Sequence, residues 1–157
     1  MKRVILFFPV FLLAAVSLCA QVVKSENGSY VTESGTLYTG TYVQKYDNGA
    51  TKSQLSIRNG QLDGYAVYFY ESGAKMEAGI YVAGQRNGLW ESWNTSGVKT
   101  NEANYALGAK DGAWMVWDDN GNKRMEMHYT KGEKTGTWKM WDEKGMLVSE
   151  RNYTTGS

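Results

Sequence analysis

Few side chains in this chain could do covalent chemistry. The 157-residue sequence has one histidine, His128, and one cysteine, Cys19. A catalytic dyad would have to be built around His128, but other copies of the repeat described below carry Ser, Ile or Asn at that position, which indicates a strand-surface residue. The acidic residues are spread singly, without the clustering of a metal site. We therefore predict no catalytic residue, no metal and no cofactor.

Three glutamates recur at equal spacing along the chain. They are Glu102, Glu126 and Glu150, each 24 residues from the next. Paired carboxylates can hydrolyse glycosidic bonds. A glutamate that recurs at a fixed period more simply indicates one cross-strand contact made once in each hairpin. We expect these glutamates to lie opposite Trp90, Trp114 and Trp138.

Aromatic residues are the strongest candidates for binding. All six tryptophans fall into two columns of the 24-residue period, and a tyrosine column accompanies them. Such rings either cover the glycine-rich backbone of neighbouring hairpins or form a ladder for a partner protein or a glycan. The predicted binding residues are Phe69, Tyr81, Trp90, Trp93, Tyr105, Trp114, Trp117, Tyr129, Trp138, Trp141 and Tyr153.

The elements that position these rings follow from glycine spacing. Fifteen of the 18 glycines occupy three columns of one 24-residue period without insertion or deletion. They are predicted to be structural turn residues: Gly40, Gly49, Gly60, Gly64, Gly73, Gly84, Gly88, Gly97, Gly108, Gly112, Gly121, Gly132, Gly136, Gly145 and Gly156. A fixed period of this length is typical of repeat architectures. Counting Gly40 as position one, the repeats cover 40–63, 64–87, 88–111, 112–135 and 136–157, after a partial repeat or cap at 21–39.

Each repeat is predicted to be a β-hairpin. Glycine every few residues excludes long helices, and Trp, Tyr, Val and Thr between turn signals favour strands. Segments such as Asp47-Asn48-Gly49 suit a type I turn followed by a left-handed glycine bulge. Position three is expected to pair with position fifteen, position six with position twelve, and positions three and six to lie on opposite faces. The fold class is therefore all-β, an elongated, twisted meander of five antiparallel hairpins.

That pairing also assigns the faces of the fourth repeat. One face is expected to carry Met115, Trp117, Met125, Met127 and Tyr129, and the other Trp114, Val116, Arg124, Glu126 and His128. Neither face would be cleanly polar. We expect the strand that contains Tyr153 to form an open edge, available to another chain.

The first 20 residues predict export. Lys2 and Arg3 precede an apolar run that includes Pro9 and ends in small residues, the order of a secretory signal cleaved after Ala20. A retained membrane anchor and a lipid-modified Cys19 are the alternatives. The rest of the chain has 15 basic and 16 acidic residues, which argues against nucleic-acid binding. We predict location in the periplasm, the cell envelope or outside the cell, with no membrane span after cleavage.

The repeat resembles a known family. The stretch from Gly112 to Gly121, followed by Tyr129-Thr130-Lys131-Gly132, looks like MORN repeats (membrane occupation and recognition nexus). It most resembles the bacterial variant catalogued with YwqK-type antitoxins. The resemblance covers about residues 40–156. It implies stacked β-hairpins, no catalytic site and a role in interaction or scaffolding.

Three functions remain open at the level of sequence. The favoured one is an exported, non-enzymatic scaffold that binds an unidentified protein of the envelope or the exterior. The second is a carbohydrate or cell-wall binding module that uses the tryptophan columns. The third, suggested only by the resemblance, is an immunity or antitoxin-like partner of an exported toxin.

Overall fold

The computed structural model describes residues 21–154, and the described range contains only strands and their connections. The strands from Gly40 to Tyr153 form one ten-stranded antiparallel sheet in sequence order, which remains open and confirms the predicted fold class. The predicted signal peptide, with its cleavage after Ala20, and Gly156 lie outside the described residues. The strands are β1 (Val22–Lys24), β2 (Tyr30–Thr32), β3 (Gly40–Lys45), β4 (Thr51–Arg58), β5 (Gln61–Phe69), β6 (Lys75–Val82), β7 (Gln85–Trp93), β8 (Lys99–Ala106), β9 (Ala109–Trp117), β10 (Lys123–Thr130), β11 (Glu133–Trp141) and β12 (Leu147–Tyr153).

The turn inside each repeat has the predicted geometry. In the first repeat the amide of Gly49 donates to the carbonyl of Tyr46 at 2.9 Å, and the amide of Tyr46 donates to the carbonyl of Ala50 at 2.8 Å. Gly49 has φ 84°, in the left-handed region that glycine reaches without steric cost. This is a three-residue loop with a glycine bulge.

The connection between repeats is a second tight hairpin. Residues 59, 83, 107 and 131 have φ between 44° and 49°, and each precedes a glycine that also has positive φ. Two positive φ values in a two-residue loop define a type I′ turn, whose twist matches that of the flanking strands. The first repeat uses Asn59-Gly60, the preferred pair, whereas Leu107 occupies the same left-handed position with a branched side chain.

The predicted register within the hairpins is wrong by one residue. Position six does pair with position twelve, as Trp141 with Leu147, but position three pairs with sixteen rather than fifteen, as Trp138 with Arg151. The bulge after the glycine inserts one residue into the second strand, and a one-residue slip moves side chains to the opposite face.

The predicted faces of the fourth repeat change for the same reason. Trp114 pairs with Met127, and the ring centroid of Trp114 lies 5.4 Å from that of Tyr129. Trp114, Met127 and Tyr129 therefore share a face. Met115 pairs with Glu126 on the other face. We call the face of Trp114 the cap face and the face of Glu126 the outer face.

The cap face is named for the hairpin that covers its first part. β1 and β2 form a separate two-stranded sheet, joined to the large sheet by a hydrogen bond from the amide of Tyr30 to the carbonyl of Gly60 (2.8 Å). The ring of Tyr30 packs on that of Tyr42 at 5.1 Å between centroids. The buried cluster beneath this hairpin is the core of the protein, and it comprises Tyr30, Leu55, Ile57, Ala66, Trp90 and Ala103.

Candidate functional site

Tryptophans of position three and tyrosines of position eighteen interleave along the cap face. Ring centroids lie 4.9–5.4 Å apart, in tilted or edge-on arrangements, in the pair Tyr81–Trp90 and in each successive pair from Tyr105 to Tyr153. Such geometries suit aromatic quadrupoles, and each pair adds about 0.5–1.5 kcal/mol beyond area burial. We call this set the aromatic ladder: Tyr81, Trp90, Tyr105, Trp114, Tyr129, Trp138 and Tyr153.

A backbone irregularity seats each tryptophan of the ladder. The strand pairing between consecutive repeats shifts register between positions sixteen and eighteen, as between Ala103 and Tyr105. The indole Nε1 of Trp114 donates to the carbonyl of the intervening Asn104 at 2.9 Å. Trp90 and Trp138 donate to the equivalent carbonyls at 3.1 and 3.0 Å. The polar atom of each indole is therefore satisfied inside the protein, and the ring is held in one orientation.

Sequence reasoning missed a column of cations that accompanies the ladder. Arg86, Lys110 and Lys134 occupy position 23, and their charged groups lie 4.0, 4.1 and 4.5 Å from the ring centroids of the next tryptophans. Each also lies within 5.6 Å of a tyrosine centroid. A cation over an aromatic face is stabilised by the ring quadrupole. The 24-residue spacing of these three residues was visible in the sequence and could have revealed them.

One ladder tryptophan is fully buried because a glycine lies beneath it. Trp90 is 1% exposed. A Cβ placed on Gly79 would lie 2.2–2.6 Å from atoms of its indole ring, closer than real contacts allow. Trp114 and Trp138 are only partly buried. The predicted binding residue Trp90 is thus a core residue.

The last part of the cap face forms a shallow groove. It has a volume of about 250 Å³. In this region no hairpin of the described chain covers the ladder, and Met140 is 43% exposed. The groove is lined by Met125, Met127, Trp138, Lys139, Met140, Ser149, Arg151 and Tyr153.

The position-six aromatics lie on the other side of the sheet. Lys123 contacts Glu126 at 3.0 Å and also lies 5.6 Å from the ring centroid of Trp141, which places this ring on the outer face. Lys75 lies 4.8 Å from the centroid of Trp93. These rings and those of Phe69 and Trp117 are half-buried, so each keeps an accessible portion.

The recurring glutamates do not lie opposite the tryptophans, contrary to our expectation. Glu102 pairs with Glu91, Glu126 with Met115 and Glu150 with Lys139. The bulge in each second strand causes this displacement by one residue.

Lysines neutralise two of these glutamates. The ammonium of Lys99 donates to both Glu102 and Glu91, and these hydrogen bonds raise the pKa of Lys99. The hydrogen bond from Lys123 lowers the pKa of the Glu126 carboxyl. Both glutamates therefore have a structural role that requires no bound substrate.

His128 lies on the outer face beside one of these glutamates. Its Nε2 is 3.8 Å from a carboxylate oxygen of Glu126, too far for a hydrogen bond. Within residues 21–154, no three or more His, Cys, Asp or Glu side chains are grouped to hold a metal ion. The same residues include no helix with the length and apolar character needed to cross a membrane.

The predicted turn glycines fall into three structural classes. The second column, Gly49 to Gly145, closes the turn inside each repeat, and the third column, Gly60 to Gly132, supplies the second residue of each type I′ turn. The first column, Gly40 to Gly136, lies within strands and pairs with position eighteen, as Gly112 pairs with Tyr129. Gly112 has φ 100°, and a Cβ there would lie 3.2 Å from Asn104. These first-column glycines form the irregular backbone that seats the tryptophans.

Sequential hairpins, a periodic ring ladder and bulged strands define a β-hairpin repeat protein. The family model of the MORN repeat variant matches residues 110–131 and 134–154. This match confirms the predicted MORN-repeat family for the repeats within residues 110–154 and does not distinguish the YwqK-type variant. MORN repeats generally serve in protein interaction or as scaffolds. No curated protein is similar enough to the chain to count as a match.

Proposed function

We propose that the chain is an exported, non-enzymatic scaffold that binds another protein through the uncovered part of its cap face. The observation that carries this proposal is the groove at Trp138 and Tyr153. At this groove the cap face is accessible, whereas β1 and β2 cover it at the other end of the sheet. An accessible apolar patch rimmed by polar side chains is typical of protein interaction sites. The family supports the same class of function.

Affinity capture tests the interaction. The mature chain, immobilised, is exposed to envelope and culture-supernatant extracts, and bound proteins are identified by mass spectrometry. Tyr153→Ala should abolish retention of the partner. Trp117→Ala on the outer face is the matched control and should leave retention intact. If wild type and Tyr153→Ala retain the same proteins, the cap face is not the binding surface.

Export is a separate part of the proposal, supported by the composition of residues 1–20. Cell fractionation and N-terminal sequencing of the mature protein test it. We expect a protein outside the cytoplasm that begins at Gln21. A cytoplasmic protein that retains its first 20 residues would refute export without affecting the binding proposal.

A carbohydrate-binding function is the second candidate, favoured by one feature of the outer face. A groove of about 470 Å³ beside Trp141 is lined also by Lys123, Asn122 and two turn glycines. A half-exposed indole flanked by amide and ammonium donors suits a sugar ring. Titration with cell-wall glycans should then change tryptophan fluorescence, and Trp141→Ala should remove that change. An unchanged spectrum across a glycan panel would exclude this candidate.

A further inference from the structure

The outermost strand of the described sheet offers an unpaired edge. β12 pairs with β11 on one side, and within residues 21–154 no strand pairs with its other side. Leu147 is 49% exposed and Val148 is 60% exposed. An exposed edge presents a row of backbone donors and acceptors to which an extended chain can add.

The repeat itself shows what an added strand would place on the cap face. Each position-eighteen tyrosine packs against the tryptophan of the following repeat, as Tyr105 against Trp114 (5.3 Å) and Tyr129 against Trp138 (5.2 Å). Tyr153 packs against Trp138 of its own repeat at 4.9 Å. In a strand added next to β12, an aromatic equivalent to the position-three tryptophan would pack on the side of the Tyr153 ring that faces away from Trp138.

Register fixes where this aromatic would stand. Between repeats, position sixteen pairs with position three of the next strand, as Ala103 with Trp114. The matching residue of β12 is Arg151, so an aromatic opposite Arg151 would extend the ladder by one rung. The residue two places later in the added strand would lie opposite Ser149 and diagonal to Arg151, within reach of its long side chain.

The charge of the groove specifies that second residue. Among its charged lining residues, Arg151 pairs with Trp138 on the cap face, whereas Lys139 pairs with Glu126 and Glu150 on the outer face. The remaining lining is Met, Trp, Tyr and Ser. A carboxylate diagonal to Arg151 would form a charge-assisted hydrogen bond with the guanidinium. A cation at the same place would be repelled by it.

We propose that β12 and the adjoining groove bind an extended segment of a partner protein that pairs with β12 as an additional strand. The segment carries an aromatic side chain, which packs on Tyr153, followed two residues later by a carboxylate, which pairs with Arg151. This inference rests on the proposed function and specifies the chemistry of the partner.

A defined peptide tests the proposal on the full chain. The probe is a fluorescently labelled, N-acetylated and C-amidated Thr-Thr-Trp-Thr-Glu-Thr-Thr, with Ala for Trp and Lys for Glu as matched peptides. Fluorescence anisotropy should show binding of the first peptide and at least tenfold weaker binding of the other two. Arg151→Glu should weaken binding of the first peptide at least tenfold and restore binding of the lysine peptide.

Two controls separate strand addition from attraction by net charge and from binding elsewhere on the surface. Arg58→Glu makes the same charge change on an exposed side chain of β4 and should leave peptide affinity unchanged; an equal loss would mean attraction by net charge alone. Amide hydrogen exchange should slow in β12 and stay unchanged in β3 when the peptide binds. Binding without protection of β12 would overturn the proposal.

Other occupants give distinct results. If analytical ultracentrifugation shows that the free chain self-associates, and exchange shows β12 protected in the associated form, the edge is a contact between copies and the proposal is overturned. If affinity capture finds a partner that requires Tyr153 while no peptide binds, this inference fails and the proposed function stands.

Discussion

The two ends of one sheet differ in how the cap face is completed. At the first end, β1 and β2 lay Tyr30 over Tyr42, and the residues beneath form the buried core. At the last end the aromatic ladder finishes at Trp138 and Tyr153, beside a groove instead of a second layer. The first end has Tyr42 and Ile57 at positions three and eighteen, with Ile57 buried, whereas the last end has Trp138 and Tyr153, which are only partly buried. The same repeat is therefore buried where a second layer covers it and accessible where none does.

The burial of individual rings makes this difference quantitative. Tyr30 is 7% exposed and Trp90 is 1% exposed, while Trp138 and Tyr153 are partly accessible. In addition, five of the six methionines of the described chain lie in its last two repeats, and Met side chains adapt readily to different partners. We therefore expect substitutions at the first end to reduce stability and substitutions at the last end to affect binding.

The largest expected effect is the loss of Trp90. Trp90→Ala removes a fully buried indole and should lower the free energy of unfolding by about 3–5 kcal/mol. Trp138→Ala removes a ring that is already partly hydrated and should cost about 1–2 kcal/mol. Urea unfolding followed by circular dichroism measures both. Equal losses would contradict the division between the buried part of the cap face and its accessible end.

A smaller effect is expected for Gly79→Ala, which adds a single methyl group beneath Trp90. The new Cβ would overlap the indole, and overpacking should cost about 1–3 kcal/mol. The control is a double-mutant cycle: in the Trp90→Ala background, the cost of Gly79→Ala should largely vanish because the ring is gone. An undiminished cost in that background would mean that backbone conformation, and not the ring, requires glycine at this position.

The turns between repeats allow a stabilising change. Leu107 has φ 44° and a side chain that is 60% exposed, so it strains the type I′ turn without burying much surface. Leu107→Asn should raise the free energy of unfolding by about 0.5–1 kcal/mol, and Asn59→Leu, the reciprocal change, should lower it by a similar amount. Thermal unfolding detects either shift. A loss of stability in Leu107→Asn would show that Leu107 contributes packing outweighing its strain.

The smallest expected effect concerns charge on the outer face. The hydrogen bond from Lys123 lowers the pKa of Glu126 in the folded state, so its stabilisation is complete above the unfolded pKa of about 4.5 and is lost as pH falls through the folded pKa. Glu126→Gln should cost less than about 0.5 kcal/mol at pH 7, because the pair is solvent-accessible. The difference from wild type should shrink as the pH falls below 4.5 and through the lowered pKa of Glu126. The exposed Glu133→Gln is the control and should show a smaller effect throughout this range. A pH-independent cost would indicate a packing role for Glu126.

Glycine periodicity made the hairpins and their order predictable. Gly49 and its equivalents marked the internal turns because few residues other than glycine adopt the required φ. Gly60 and its equivalents marked the connections between repeats. The two-residue turn geometry also depends on the residue before each of these glycines, and of those residues only Asn59 is a typical turn residue. Local backbone rules therefore determine most of the fold.

Side-chain placement was less predictable because it depends on register. A single inserted residue in each second strand moved the glutamates away from the tryptophans and brought Trp114 to the same face as Tyr129. The amino-acid pattern carries no direct signal of how many residues a bulge contains. The burial of Trp90 was also hidden, because it depends on the close packing of its indole on Gly79 of the neighbouring strand.

The sequential strand order has a consequence for how such a chain can change in length. Every strand of the large sheet pairs only with strands adjacent to it in the sequence. Insertion or deletion of a whole 24-residue unit therefore preserves every remaining pairing and every turn. A gene duplication inside the array would lengthen the sheet by one hairpin and move the groove outward by two strand spacings, about 10 Å, without altering the covered end. The distance between the covered end and the open edge is thus a heritable variable that can change in discrete steps.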